Sequence, residues 1–574
     1  MAFYLSPLVD VNEIDLSTTI PAVATSIAAI ILRNTYKGPE RKKTLITTTN
    51  ELIDFFGKPT NIANCYQDIL SATGYLRYGN SLYCTRTMPV SATFAGTMAV
   101  SGSEATFSPF SVADALKLGD LASQDPDNFA DDVSPIAGFP FYLIADSRGA
   151  WGNNIKVAVI DYTTYNQIAS GGHSDWETYP DISAIDSPLL SSKSFLIVVS
   201  VKPQGETSYV VKEYWNVSTD EDIVDDQGQK LFAETKINSQ SSYIRISLNE
   251  TQKNQDITIS TSNYQLFGGG ADDQGDQVTD ALIMNDIDLY ANAEEIDVNV
   301  FIDSNKSTTV KSYLVSIAET RKDCIAVLDC LYESVINNSG NEATSLRTYR
   351  QSTLNENTSY ASIYGNWIEI YDKWNGKYRW IPASGFIAGI YANTDNVSDP
   401  WFAPAGLNRA LLGNVRRLAW NPTLGERDIL YKAGINPLVS FAGQGKVVWG
   451  QKTLLDKESA FNRINVRRLF IVLEKAIATA AKYFLFEPND DLTRLLLVNM
   501  IDPFLRDVRS RRGIYDYMVV CDETNNTPER IDRNELWCDI YIKPTRAAEF
   551  IVLNFIATKT GASFTELAGA STGA

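Results

Sequence analysis

A chain of 574 residues is longer than one compact core ordinarily organises, and about three to five domains are expected. Hydrophobic residues at 44% and charged residues at 21% exclude bulk disorder. A formal net charge of -19 disfavours binding to DNA or to anionic membrane surfaces unless basic groups are gathered into one patch.

The chain opens with an arm-like stretch, residues 1–21, in which Val9 and Val11 alternate with Asp10 and Asn12 before Pro21. So short a strand has no local hairpin partner, so its backbone groups must be satisfied elsewhere or by water. Met1 to Tyr4 lacks a basic region, so no targeting segment is expected. The apolar run over residues 22–32 contains Thr25 and Ser26 and is shorter than the roughly 20 residues a bilayer span takes.

Residues 22–89 read as α/β. Strands are expected over 23–32, 44–48 and 82–87, with a helix capped by Asn50 and ending near Gly57, and another over 64–78 closed by Gly79. From 90 to 275 Ser, Thr, Gly and Asp dominate and helical periodicity fades. This stretch reads as inserted β-rich material, with a hairpin pairing 195–201 with 209–217, further strands at 243–247 and 257–260, and a flexible loop over 268–276. The α/β pattern returns over 276–440. A strand at 298–302, a helix at 309–321 and a strand at 324–328 make a βαβ unit, and residues 387–393 read as an element near the surface.

The last part, 441–556, is the most regular. One long helix is expected over 459–486, with Phe461, Leu469, Leu473 and Ala480 inward and Arg463, Arg467 and Lys482 outward. Asn489 reads as the cap of a second helix, and Asp502-Pro503 as the start of a third that Gly513 closes. Strands are expected at 515–521, 536–542 and 549–556, and residues 557–574 read as a second arm.

Catalytic and metal readings are weak. A Ser-His-Asp triad needs a histidine to shuttle the proton, and the one histidine is His173, in a Gly-rich stretch of the insertion. Asp272, Asp273 and Asp276 lack the spacing and terminal glutamate of a calcium loop. Trp367, Tyr371, Trp374, Tyr378 and Trp380 read as a hairpin about Asn375-Gly376 packed on the core rather than as a sugar platform. No phosphate-cradling P-loop sequence occurs. The six cysteines form no CxxC pair and are too sparse for a disulfide framework, so reduced thiols are expected.

Several ordered stretches resemble the contractile phage tail sheath family. They are Phe55-Phe56-Gly57-Lys58-Pro59, Tyr78-Gly79-Asn80-Ser81-Leu82-Tyr83, Gly149-Ala150-Trp151-Gly152-Asn153 and Trp401-Phe402-Ala403-Pro404-Ala405-Gly406. Gly434-Ile435-Asn436-Pro437, Val448-Trp449-Gly450-Gln451-Lys452-Thr453-Leu454 and Asn465-Val466-Arg467-Arg468-Leu469 continue the series. Cys521-Asp522 with Asn525-Asn526, and Glu549-Phe550-Ile551, complete it.

The resemblance implies a multidomain α/β (α+β) fold with a partly subtilisin-like core, β-rich outer insertions and extended terminal arms. It implies a structural, non-enzymatic subunit that needs no cofactor or metal. Copies stack as six-membered rings into a helix around an inner tail tube, and contraction drives the tube through a host envelope. Expected partners are other copies, the tube protein, and the baseplate and tail terminator proteins, with no nucleic acid and no membrane. The expected place is the virion tail, after assembly in the host cytoplasm. The sheath of a related contractile injection particle is the alternative.

By the same resemblance Val9, Val11, Ile14, Phe564 and Leu567 lie on arm strands passed to neighbours. Tyr517, Val519, Leu536, Ile540, Ile551 and Leu553 lie on the sheet that receives them. Arg506, Arg509, Arg511 and Arg512 have two readings: a patch facing an acidic tube, or cations complementing a helix C-terminus. Arg463, Arg467 and Arg468 are read first as a solvated face.

Overall fold

The computed structural model describes residues 26–100, 106–109, 141–170, 189–249, 251–257, 264–273 and 277–553. The arm positions Val9, Val11, Ile14, Phe564 and Leu567 lie outside the described residues, as do His173 and Asp276.

A seven-stranded sheet forms the centre. Its order is Ile435–Asn436, Ala361–Tyr364, Ile325–Asp329, Val300–Ile302, Ala28–Arg33, Leu82–Thr87 and Thr44–Ile46. Every neighbouring pair is parallel except the last. Parallel strands covered on both faces read as continuous apolar runs. Ala28–Arg33 is such a run: Ala28, Ile30 and Leu32 enter the core on one face, Ala29 and Ile31 the core on the other.

The first face is covered by the helices Ala63–Tyr75 and Ser384–Val397, and the second by Asp280–Asp288, Thr308–Arg321 and Leu424–Lys432. The helix Ser384–Val397 is buried from Ser384 to Ala392, with Ile387, Ala388 and Tyr391 0% exposed, so residues 387–392 are interior rather than near the surface. Glycine makes this possible. A Cβ on Gly385 would lie 2.1 Å from the Ser71 carbonyl oxygen, and one on Gly389 2.8 Å from that of Gly74.

The central sheet takes strands from both sides of the β-rich stretch, because Ala28–Arg33 pairs with Leu82–Thr87 and with Val300–Ile302. Between them two four-stranded sheets share one core. The expected hairpin is present as Ser194–Val201 against Val210–Ser218. Residues 268–272 are pinned rather than loose: Gly268 pairs with Gly96 and Ala271 with Thr93, and the Asp272 carboxylate accepts from the Ala150 N–H at 2.9 Å. Arg86, fully buried, joins insertion and centre by donating to Glu40 at 3.1 Å and to the Arg148 carbonyl at 2.9 Å.

Two expected helix caps shift by one or two residues. Thr48, not Asn50, caps Thr49–Phe56, and Asp490, not Asn489, caps Asp491–Ser510 by accepting from the Thr493 N–H at 2.8 Å. The stretch 459–486 is an α-helix, Ile464–Ala481, between two short 3-10 turns. Trp367–Asp372 and Lys377–Pro382 form the expected aromatic hairpin, with Trp367 buried and Tyr371 and Tyr378 exposed.

Candidate assembly surface

The surface is built on the helix Asp491–Ser510, whose Leu497, Met500, Ile501, Leu505 and Val508 form one buried stripe. That stripe runs straight through Pro503. Asp502-Pro503 therefore does not start a new helix: burial along the continuous face outweighs the roughly 3 kcal/mol that an interior proline costs. The helix ends at Arg511, and Arg512, at φ +67°, takes the left-handed position expected of Gly513.

The four arginines do not form one uniform patch. Arg506 pairs with Asp502 one turn back, and Arg509 lies 3.7 Å from Asp516. Arg511 pairs with Asp399 and lies 5.3 Å from the Trp401 ring centroid, whose indole N–H donates to the Arg511 carbonyl at 3.1 Å. Arg512 makes no ion pair among the described residues and lines a cleft with Arg509, Trp401 and Tyr515.

Arg467 and Arg468 are buried, correcting the solvated-face reading. Arg467 packs 4.2 Å from the ring centroids of both Tyr360 and Phe461, and Arg468 donates to both oxygens of Asp395 at 2.7 and 2.6 Å. Arginine carries enough apolar stem and planar surface to occupy such sites when its fork is paired.

Against the helix lies a two-stranded antiparallel sheet, Ile514–Val520 with Asp539–Pro544. Tyr517 and Val519 on one strand, and Ile540 with Leu536 on or just before the other, pack toward the helical core. The Tyr517 hydroxyl donates to Asp502 at 2.8 Å. The opposite face carries Tyr515, Met518 and Tyr541, each more than half exposed. Neither outer edge has a strand partner among the described residues.

Ile551 and Leu553 are not on that sheet. The expected strand over 549–556 is absent as far as residue 553, the last one described. Instead the chain leaves the sheet at Pro544 and crosses the cleft, of about 1050 Å³, and its residue Glu549 is gripped there. Arg463 Nε and Nη2 donate to the carboxylate at 2.7 and 2.9 Å, and the Tyr431 hydroxyl donates at 3.0 Å. Beyond the grip Phe550, Ile551, Val552 and Leu553 are 84, 78, 82 and 71% exposed. Four consecutive exposed apolar side chains, beside a strand pair whose edges are open among the described residues, are features that favour association.

Sequence reasoning missed this grip. Glu549 stood in a resembling stretch, but nothing local pairs it with Tyr431, 118 positions away.

In open α/β sheets ligands bind at the carboxyl ends of the strands. Here those ends hold paired charges. Asp68 accepts from Arg33 at 2.8 Å and from Lys306 at 3.2 Å, and Asp303 lies 3.4 Å from Lys311, all in the interior. Burial and the adjacent Asp303 push the Asp329 carboxyl up to about 7, while its oxygen accepts the first N–H of the helix Ser384–Val397 at 2.8 Å. No group of metal-ligating side chains occurs among the described residues. No described helix is long and apolar enough to cross a membrane.

Two family profiles match the chain: the phage tail sheath protein central domain over residues 286–454 and the phage tail sheath C-terminal domain over 456–558. The tail sheath protein of Vibrio phage KVP40 is 38% identical over 465 residues, which cover 75% of this chain and 67% of the relative. That of Enterobacteria phage T4 is 41% identical over 308 residues, covering 51% of this chain and 47% of the relative. The crystal structure of the sheath tail protein of Listeria innocua superposes with a TM-score of 0.53 over 92% of this chain and 97% of that one, at 12% identity, a likeness of fold. With its order of domains, its α/β centre and two thirds of a close relative matched, the chain belongs to the family of contractile phage tail sheath proteins.

Proposed function

We propose that this chain acts as a non-enzymatic polymer subunit, stacking in six-membered rings into a helix around an inner tail tube and contracting to drive that tube through a host envelope. The observation that carries the reading is the sheet of residues 514–520 and 539–544, which has no third strand among the described residues, beside the exposed apolar segment 550–553. A lone strand pair is marginally stable and its edges invite pairing. Arm strands from adjacent copies, Val9, Val11 and Ile14 on one and Phe564 and Leu567 on another, complete it by β-augmentation. In this reading residues 551–553 are the root of the outgoing strand, delivered away from their own sheet.

Such a contact is head-to-tail. With a rise between copies it cannot close, so it propagates as a helix. Residues 1–21 and 557–574 serve as tethers. The body, residues 22–89 and 276–440, and the outer insertion, residues 90–275, move between two packings while 441–556 holds the network. At about 25 cal/mol per Å² of apolar burial, a few hundred Å² more contact per subunit yields several kcal/mol, summed over the polymer. The tube is met in part by Arg506, Arg509, Arg511 and Arg512, whose exposure supports that role. Baseplate and terminator proteins bound the polymer, which assembles in the host cytoplasm and ends in the virion tail.

Negative-stain microscopy of the purified chain tests this. Wide-lumen tubes with helical striation are expected, and deletion of residues 1–19 leaves folded subunits that form no long tubes. Normal tubes from the truncated chain overturn the arm-exchange mechanism.

A further inference from the structure

At the loop end of the hairpin the last paired residues are Val520 and Asp539, and continuing that register one position past each strand end sets Cys521 opposite Cys538. Residues directly opposite on antiparallel strands have Cα atoms about 4.5–5.5 Å apart, inside the range a disulfide spans. Both cysteines are free.

The two chain segments that carry them are tied by a third side chain. Asn526 is 2% exposed, and its amide donates to the carbonyls of Asp522 at 3.0 Å and Trp537 at 2.9 Å. Its own oxygen accepts from the Trp537 N–H at 2.7 Å. Asn526 thus ties together the two residues that flank the cysteines. Asn525 adds a second tie, donating to the Val520 carbonyl at 2.7 Å and to Asp539 at 3.1 Å.

The two sulfurs are also made unequal. Cys521 is held below the usual thiol range, by the neighbouring Cys538 thiol first, then by the Arg494 guanidinium and the Asn526 amide. Cys538 is pushed up by the neighbouring Cys521 and by burial. A low thiolate beside a protonated partner is the arrangement of an attacking and a resolving cysteine. Access differs as well: Cys538 is half-buried and Cys521 8% exposed, whereas Cys65, Cys84, Cys324 and Cys330 are 0% exposed.

We propose that Cys521 and Cys538 are a thiol–disulfide exchange pair, which a small-molecule disulfide such as oxidised glutathione converts into a cross-strand disulfide that staples the hairpin closed. The Cys521 thiolate attacks one sulfur of the reagent. A bond forms between them as the reagent's own S–S bond breaks, and the departing thiolate takes up the proton Cys521 had lost. Cys538 then gives up its proton and attacks the Cys521 sulfur. The Cys521–Cys538 bond forms, the mixed disulfide breaks, and the second thiolate leaves with that proton. Two cysteine thiols are oxidised and one disulfide is reduced to two thiols.

This inference does not depend on arm exchange. Its test uses the full chain, folded, with millimolar oxidised glutathione at pH 8, followed by alkylation and peptide mass spectrometry. Expected are the loss of two thiols, a linked peptide pair carrying Cys521 and Cys538, full reversal by dithiothreitol, and four cysteines still alkylatable only after unfolding. In Cys538→Ser one glutathione stays on Cys521. The wild-type linkage decides the matter even if that variant does not fold. Both cysteines remaining alkylatable, or both carrying glutathione without a link, overturns the proposal.

Discussion

Arg463 and Glu549 form a bidentate ion pair across 86 residues of sequence, at 2.7 and 2.9 Å, and it fixes where the C-terminal chain leaves the body. Both side chains are partly exposed, so the pair contributes about 0.5–1 kcal/mol. In Glu549→Gln the body stays folded, and amide exchange at residues 545–549 speeds up about two- to fivefold. Arg463→Ala has the same effect, and the double variant is no worse than either single one, because both remove one interaction. Hydrogen-exchange mass spectrometry of that segment checks it. Unchanged protection in the single variants refutes the grip.

The Arg468 guanidinium meets Asp395 where the two side chains are only 5 and 4% exposed. Arg468→Met leaves a buried carboxylate without its cation, which costs about 3–5 kcal/mol. Asp395→Asn added to Arg468→Met recovers part of that loss, since the uncompensated charge is then gone. In so large a chain the observable is the midpoint of the thermal transition rather than one unfolding free energy. A midpoint within a degree of wild type for Arg468→Met contradicts the buried pair.

The centre of the fold was legible because its signals are local. The apolar run through Ile30 and the strand through Cys84 carry their periodicity within six residues each. What the sequence misstated depends on distant partners. Arg467 and Arg468 look solvated until Tyr360 and Asp395 are brought to them. Asp502-Pro503 carries a genuine start signal, overridden by the buried stripe on both sides of it. Ile551 and Leu553 alternate like a strand, yet the described chain offers them nothing to pair with. For the candidate surface, the two strands of the sheet were readable, whereas the grip on Glu549 and the Asn526 tie were not.

Gly385 is the point of closest approach between two helices of the central layer. A methyl group there would sit 2.1 Å from the Ser71 carbonyl oxygen, and backbone cannot swing aside as a side chain can. Overpacking usually costs about 1–3 kcal/mol, and contact with main chain places Gly385→Ala at or above the top of that range. The expected result is a large loss of soluble yield and a lowered thermal midpoint. Gly425→Ala, where nothing lies within 4 Å, serves as the neutral control. Equal behaviour of the two variants removes the close contact as an explanation.

Asp286 is held at about 6, above its ordinary 3.8, mainly by burial, although Thr87 donates to it and Arg41 stands 3.5 Å away. Between those values the folded chain holds a proton that the unfolded chain has released. The contribution of Asp286 is therefore complete below pH 3.8 and is lost as pH rises to about 6, with a slope of up to about 1.4 kcal/mol per pH unit. Asp329 acts in the same direction and extends the decline to about pH 7. Asp286→Asn keeps an oxygen for the Thr87 hydroxyl and carries no charge to desolvate. Thermal midpoints measured from pH 5 to 8 are expected to fall less steeply below pH 6 in this variant, leaving the Asp329 part of the decline in place. Parallel curves for variant and wild type show that Asp286 binds no extra proton in the folded chain.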